Sequence, residues 1–219
     1  MTAPSHALPD QPDLPDVIDQ LLGADSAAVL ADIRDARPDA RANAQLSFDA
    51  LFTPVDASDV SLEERHTIAA FTTALHGESR VAPFYAELLA HTASPEVVAA
   101  VAAEIAAGTT TGPYGIFREE ALAAENTEGL RFSVSDAGRE VLGTRLAAAL
   151  DHTHLLVFRP REASSENIDA LLAAGWSVTG IVTLSQLVAF LAFQLRVVTG
   201  LAALATDIHK DDIQKDSNR

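Results

Sequence analysis

The run of residues 180–195, GIVTLSQLVAFLAFQL, constrains the fold of this chain more than any other segment. A helix apolar all round must be buried in a core or against another copy of the chain. The run is shorter than a bilayer span, contains Ser185, Gln186 and Gln194, and is followed by Arg196, so a buried helix is expected and no membrane partner. Its surroundings also favour helix. Hydrophobic residues make up 48% of the chain, with Ala and Leu dominant and aromatics only 5%, and Ala and Leu lose least on entering a helix.

Start and stop signals divide the 219 residues into helical pieces. Val17, Ile18, Leu21 and Leu22, then Val29, Leu30 and Ile33, recur at helical spacing and predict one or two short helices closed by Pro38. Residues 40–50 add a helical turn or two, before a loop to Asp59. Ser61 with Glu64 forms a capping box. Its helix is expected to reach about Leu75, with Ile68, Phe71, Thr72 and Leu75 facing inward and His76-Gly77 marking the end. A second helix starts near Ser79 or Ala82. Ser94-Pro95-Glu96 opens a third, through residues 97–107. The glycines of 108–115 follow no strand, so that loop is no phosphate cradle. Residues 117–124 read as helical, 130–134 as β-capable, and 136–158 as a long helix stopped by Arg159-Pro160. Ser164 opens a helix through Ala173, Gly175 ends it, and Ser177 caps a last helix to about Ala205. The expected architecture is all-α, seven to ten helices in a single domain over 14–206, with a disordered tail at 1–13 and a frayed tail at 207–219.

Composition excludes several classes of function. A net charge of −16 and a pI near 4.6 disfavour nucleic acid and anionic membrane surfaces. The absence of cysteine excludes thiolate nucleophiles, dithiol redox chemistry and disulfides. With no basic, apolar leader in residues 1–13, the cytoplasm is the expected compartment. Asp151-His152-Thr153-His154 looks like a metal pair, but positions i and i+2 of a helix point to different faces and a third ligand is missing, so no metal is expected. No P-loop, dinucleotide fingerprint or nucleophile elbow is present, so no cofactor is expected. His91 reads as a helix C-terminal cap and Trp176 as a core or interface plug.

Two segments carry a family resemblance. Residues 164–204, SSENIDALLAAGWSVTGIVTLSQLVAFLAFQLRVVTGLAAL, have a helix, an AAG break and a long apolar helix with Gln194 and Arg196 before Gly200. Residues 62–89 are LEERHTIAAFTTALHGESRVAPFYAELL. Both resemble the carboxymuconolactone decarboxylase and alkylhydroperoxidase-D-like superfamily, over about residues 40–205. The resemblance implies a helical bundle of two related units, about 40–125 and 136–206, assembled as a trimer or hexamer. Sliding the chain so that Ser61 falls on Ser177 also brings Thr67 onto Thr183, Arg80 onto Arg196 and Val81 onto Val197.

In the hydroperoxidase branch a glutamate stands upstream of a C-x-x-C-x-x-x-H motif. At those positions this chain holds His66, Glu78, Val81 and Tyr85. A thiol peroxidase is thereby excluded. The replacements suggest acid/base chemistry on a small organic acid or lactone, with His66 as base, Glu78 as its orienter, Tyr85 as donor, and Arg80 or Arg196 binding a substrate carboxylate. The alternative is a non-catalytic helical subunit, in a homo-oligomer or paired with a cysteine-bearing relative.

Overall fold

A computed structural model describes residues 16–77 and 79–217. The expected tail at 1–13 lies outside the described residues, as does Glu78. The described chain is all-α: α1 Val17–Leu22, α2 Ala24–Val29, α3 Ala31–Asp35, α4 Pro38–Phe52, α5 Leu62–Leu75, α6 Ala82–Thr92, α7 Pro95–Gly108, α8 Asp136–Phe158, α9 Ser165–Ala173 and α10 Val178–Ser217, with 3-10 turns at Glu120–Glu125 and Pro160–Glu162. No strand forms among the described residues; only an isolated antiparallel bridge joins Gly115 to Thr127.

Helix α5 is the axis of the fold. The Ser61–Glu64 capping box sets its start, as expected: Ser61 Oγ accepts from Glu64 N–H and the Glu64 carboxylate accepts from Ser61 N–H. Ile68, Phe71, Thr72 and Leu75 are all buried, but burial extends well beyond that stripe to Arg65, His66, Thr67, Ala69, Ala70 and Thr73. Ala69 and Ala70 permit close approach by neighbouring helices. Thr72 and Thr73 donate back to Ile68 and Ala69 carbonyls, so their hydroxyls are satisfied in the core. Helices α6, α7, α8 and α10 all pack on α5.

Helix α10 buries Leu184, Leu187, Leu191, Leu195 and Val198 against the bundle. The core assignment of the 180–195 run therefore holds for one face only. Val178, Val182, Phe193 and Leu204 are exposed. The helix also outruns its expected end at Ala205 and continues to Ser217. Ile208 packs against the core and Lys210 pairs with Asp207 at 3.2 Å, which carries helix into the tail read as frayed. The stretch Val178–Lys210 is long and apolar enough to cross a bilayer, longer than the run that the sequence marks off.

The junction of α5, α8 and α10 is held by Arg145. Its guanidinium lies 4.1 Å from the Trp176 ring centroid and donates to Glu64 (2.6 Å), Gly175 O (2.5 Å) and Asp59 O (2.6 Å). Trp176 is a buried plug, as expected, and donates its indole N–H to Arg145 O at 2.8 Å. At the N-terminal end, the largely buried Arg34 is clamped by Asp16 and Asp19, tying α3 to α1.

Several local expectations are corrected. Pro38 ends one unit but also occupies the first position of α4, a 15-residue helix where a turn or two was expected. Helix α8 breaks at Gly143 (φ 74°, ψ 164°), a conformation essentially reserved for glycine. Residues 117–119 are not helical and 120–125 form only a 3-10 turn. This stretch is almost wholly exposed, and a short segment with no face to bury does not hold an α-helix. Residues 130–134 pair with no strand. Ser61 and Ser177, related by the internal offset, both cap helices, but Arg80 stands on a turn while Arg196 lies within α10.

Candidate functional site

Among the described residues singled out from the sequence, His66 and Tyr85 bond to different partners. His66, on the second turn of α5, is buried rather than solvent-facing. Its Nδ1 lies 3.0 Å from Thr92 Oγ1, whose own proton goes to the Leu88 carbonyl at 3.0 Å. The hydroxyl therefore accepts, and Nδ1 carries the imidazole proton. Burial pushes the His66 pKa below its ordinary value, and neighbouring Arg65 adds to this. Tyr85 on α6 is fully buried and donates to Gln194 Oε1 on α10 at 2.6 Å. Burial pushes its phenol far above the usual range, which keeps it neutral. His66 and Tyr85 share one neighbour, the Phe52 ring, with centroids at 6.0 and 5.1 Å. Glu78, the proposed orienter, lies outside the described residues. Arg80 is exposed on the turn leading into α6.

Arg196 sits differently. It is exposed on α10, donates to Ala192 O at 2.6 Å, and lines a cleft of about 870 Å³. The cleft runs between the end of α5, the C-terminal half of α8, α10 and the loop at 109–113. Its walls are Leu75, Val157, Phe158 and Val188, and Thr109, Thr110, Thr111 and Ser185 supply hydroxyls. His76 also faces this cleft, with a buried Nε2 that has no hydrogen-bond partner. Burial, then the Arg196 guanidinium, push the His76 pKa below its ordinary 6.5. A permanent cation and a neutral imidazole thus share a hollow of apolar walls and hydroxyls. That combination suits a small molecule with an apolar body and one carboxylate.

His76 was read from the sequence only as a helix terminus. Its role depends on α10 crossing the end of α5, and no local pattern encodes that crossing. His152 and His154 line the same cleft, although their positions lie on different faces of the helix. Among the described residues, no cluster of three metal-ligating side chains occurs. His91 stands in the last turn of α6, its Nδ1 2.7 Å from Glu87 O within the helix, and caps none of the terminal carbonyls by this contact.

Comparison with protein-family models, curated proteins and solved structures finds no match for this chain.

Proposed function

We propose that this chain is a cysteine-free member of the carboxymuconolactone decarboxylase and alkylhydroperoxidase-D-like group that binds a small organic acid and acts on it without a thiol. The observation carrying the reading is the pairing of Arg196 with His76 in one apolar cleft. Arg196 clamps the carboxylate. His76, kept deprotonated by burial and by that same guanidinium, is the base. Tyr85 and Gln194 support the family reading in a structural way: their hydrogen bond joins the two segments that carry the resemblance, and α5 and α10 pack along each other. On this reading His66 and Tyr85 stabilise the bundle.

Calorimetric titration with benzoate, against benzyl alcohol as its uncharged analogue, tests the proposal. Benzoate should bind at least about tenfold more tightly than the alcohol, and Arg196→Gln should abolish most of that difference. Equal binding of both compounds, or an unchanged difference in the variant, contradicts it. No hydroperoxide reduction with a dithiol donor is expected.

A second reading rests on the exposed face of α10. Val178, Val182, Phe193 and Leu204 are solvent-exposed, and the spacing from Val182 to Phe193 to Leu204 is three helical turns each time, so they form one stripe. A second copy of the chain laid antiparallel on that stripe would bury it, giving a homo-oligomer in which the cleft beside Arg196 lies next to the interface.

A further inference from the structure

The Asp151-His152-Thr153-His154 motif is not used by the proposed function, yet it builds a cleft of its own. The hollow, about 220 Å³, lies between α8, α9 and residues 131–132. His152 is 6% exposed and is one of its lining residues, and its Nδ1, sealed from solvent, has no partner. An imidazole buried in this way is costly to leave unsatisfied. His154 donates Nε2–H to Gly108 O at 2.9 Å, since a carbonyl can only accept, and stacks on Phe132 at 4.7 Å.

The charged groups around the hollow are largely spoken for, with one exception in sign. Asp151 accepts from Val134 N–H at 2.6 Å and from Arg139 at 2.5 Å. Arg159 and Arg131 share a single carboxylate, Glu162, at 2.7 and 3.0 Å, and Glu128 acts on Arg159 through space. The lining itself carries two guanidiniums against one carboxylate that is already satisfied. Asn167 adds an amide. In a chain of net charge −16 the lining is positive by one, although Glu162 beside it draws on both guanidiniums.

We propose that this cleft is a binding site for a small carboxylate, separate from the Arg196 cleft, with Arg131 at its mouth and the unpartnered His152 imidazole in its wall. The volume admits an acid of a few carbons and little more. The lining donors rule against a cation as occupant. Among the described residues no group of three metal-ligating side chains occurs here.

The test is a titration of the isotope-labelled full chain with acetate, followed through the imidazole nitrogen resonances, with acetamide as the uncharged isostere. Acetate should shift the His152 resonances saturably, and acetamide should not. Arg131→Gln should weaken acetate binding about tenfold, since it removes a charge-assisted contact. His152→Gln, which removes that reporter and is read by calorimetry instead, should weaken binding. Arg196→Gln should leave it unchanged, which separates this site from the other cleft. Should the histidine variant not fold, the exposed Arg131 variant still decides the matter. Absence of a saturable shift, an equal response to acetamide, or loss of the response in Arg196→Gln overturns the proposal.

Discussion

Tyr85 and Gln194 meet at 2.6 Å with both side chains fully buried, and Gln194 Nε2 beside them has no partner. A buried polar pair of this kind is worth little net while intact and much when half is removed. Tyr85→Phe should therefore destabilise the protein by roughly 1–3 kcal/mol, because it strands the Gln194 carbonyl, and Gln194→Leu should do likewise by stranding the phenol. The double variant should cost clearly less than the sum, with a coupling of about 1 kcal/mol in denaturant unfolding. Additive costs would show that the hydrogen bond contributes nothing of its own. Tyr85 was legible in the sequence as a chemically interesting residue, but its partner lies across the fold on α10. Sequence spacing alone gives no sign that the hydroxyl is sealed in the core. The same holds for His66, which meets Thr92 from the next helix.

Helix boundaries were far more legible than side-chain partners. The capping box at Ser61, the Ser94-Pro95 start, the Arg159 stop and the Gly175 break all act locally, and each stands where its residues predict. Gly143 was missed because a glycine inside a periodic stretch reads as a tolerated helix residue until its φ is known. The end of α10 was missed because Ile208 finds a core contact that the charged tail does not advertise. The exposed stripe of this helix carries the prediction at this scale. Phe193→Asp places a charge at its centre, on a side chain already solvent-exposed in the single chain. It should leave the helical fold intact and weaken self-association by about 2 kcal/mol or more in sedimentation equilibrium. A wild-type chain that stays monomeric at micromolar concentration contradicts the oligomer reading.

At the scale of the whole molecule, the buried histidines set the response to acid. His66, His76, His152 and His154 all have pKa values below the ordinary 6.5, in each case chiefly through burial. The unfolded chain then binds more protons than the folded one, so stability is complete above pH 6.5 and falls as pH drops below it. Glu162, held below its usual range by the Arg159 guanidinium, adds a loss of the same sign at lower pH. Denaturation midpoints measured from neutral pH downward should decline from about pH 6.5; a flat profile to pH 5 would mean that these imidazoles are not held neutral. The all-α class and the core helices could be read from periodicity and caps, whereas both clefts arise only where α8 and α10 cross other elements. The central claim is that Arg196 and His76 receive an organic acid. The most direct measurement is a crystal structure of the full chain grown with benzoate. The account predicts the carboxylate on the Arg196 guanidinium, the ring against Val188 and Phe158, and an ordered water within hydrogen-bond distance of His76 Nε2. Benzoate absent from that cleft at saturating concentration, or bound with its carboxylate turned away from Arg196, would contradict it.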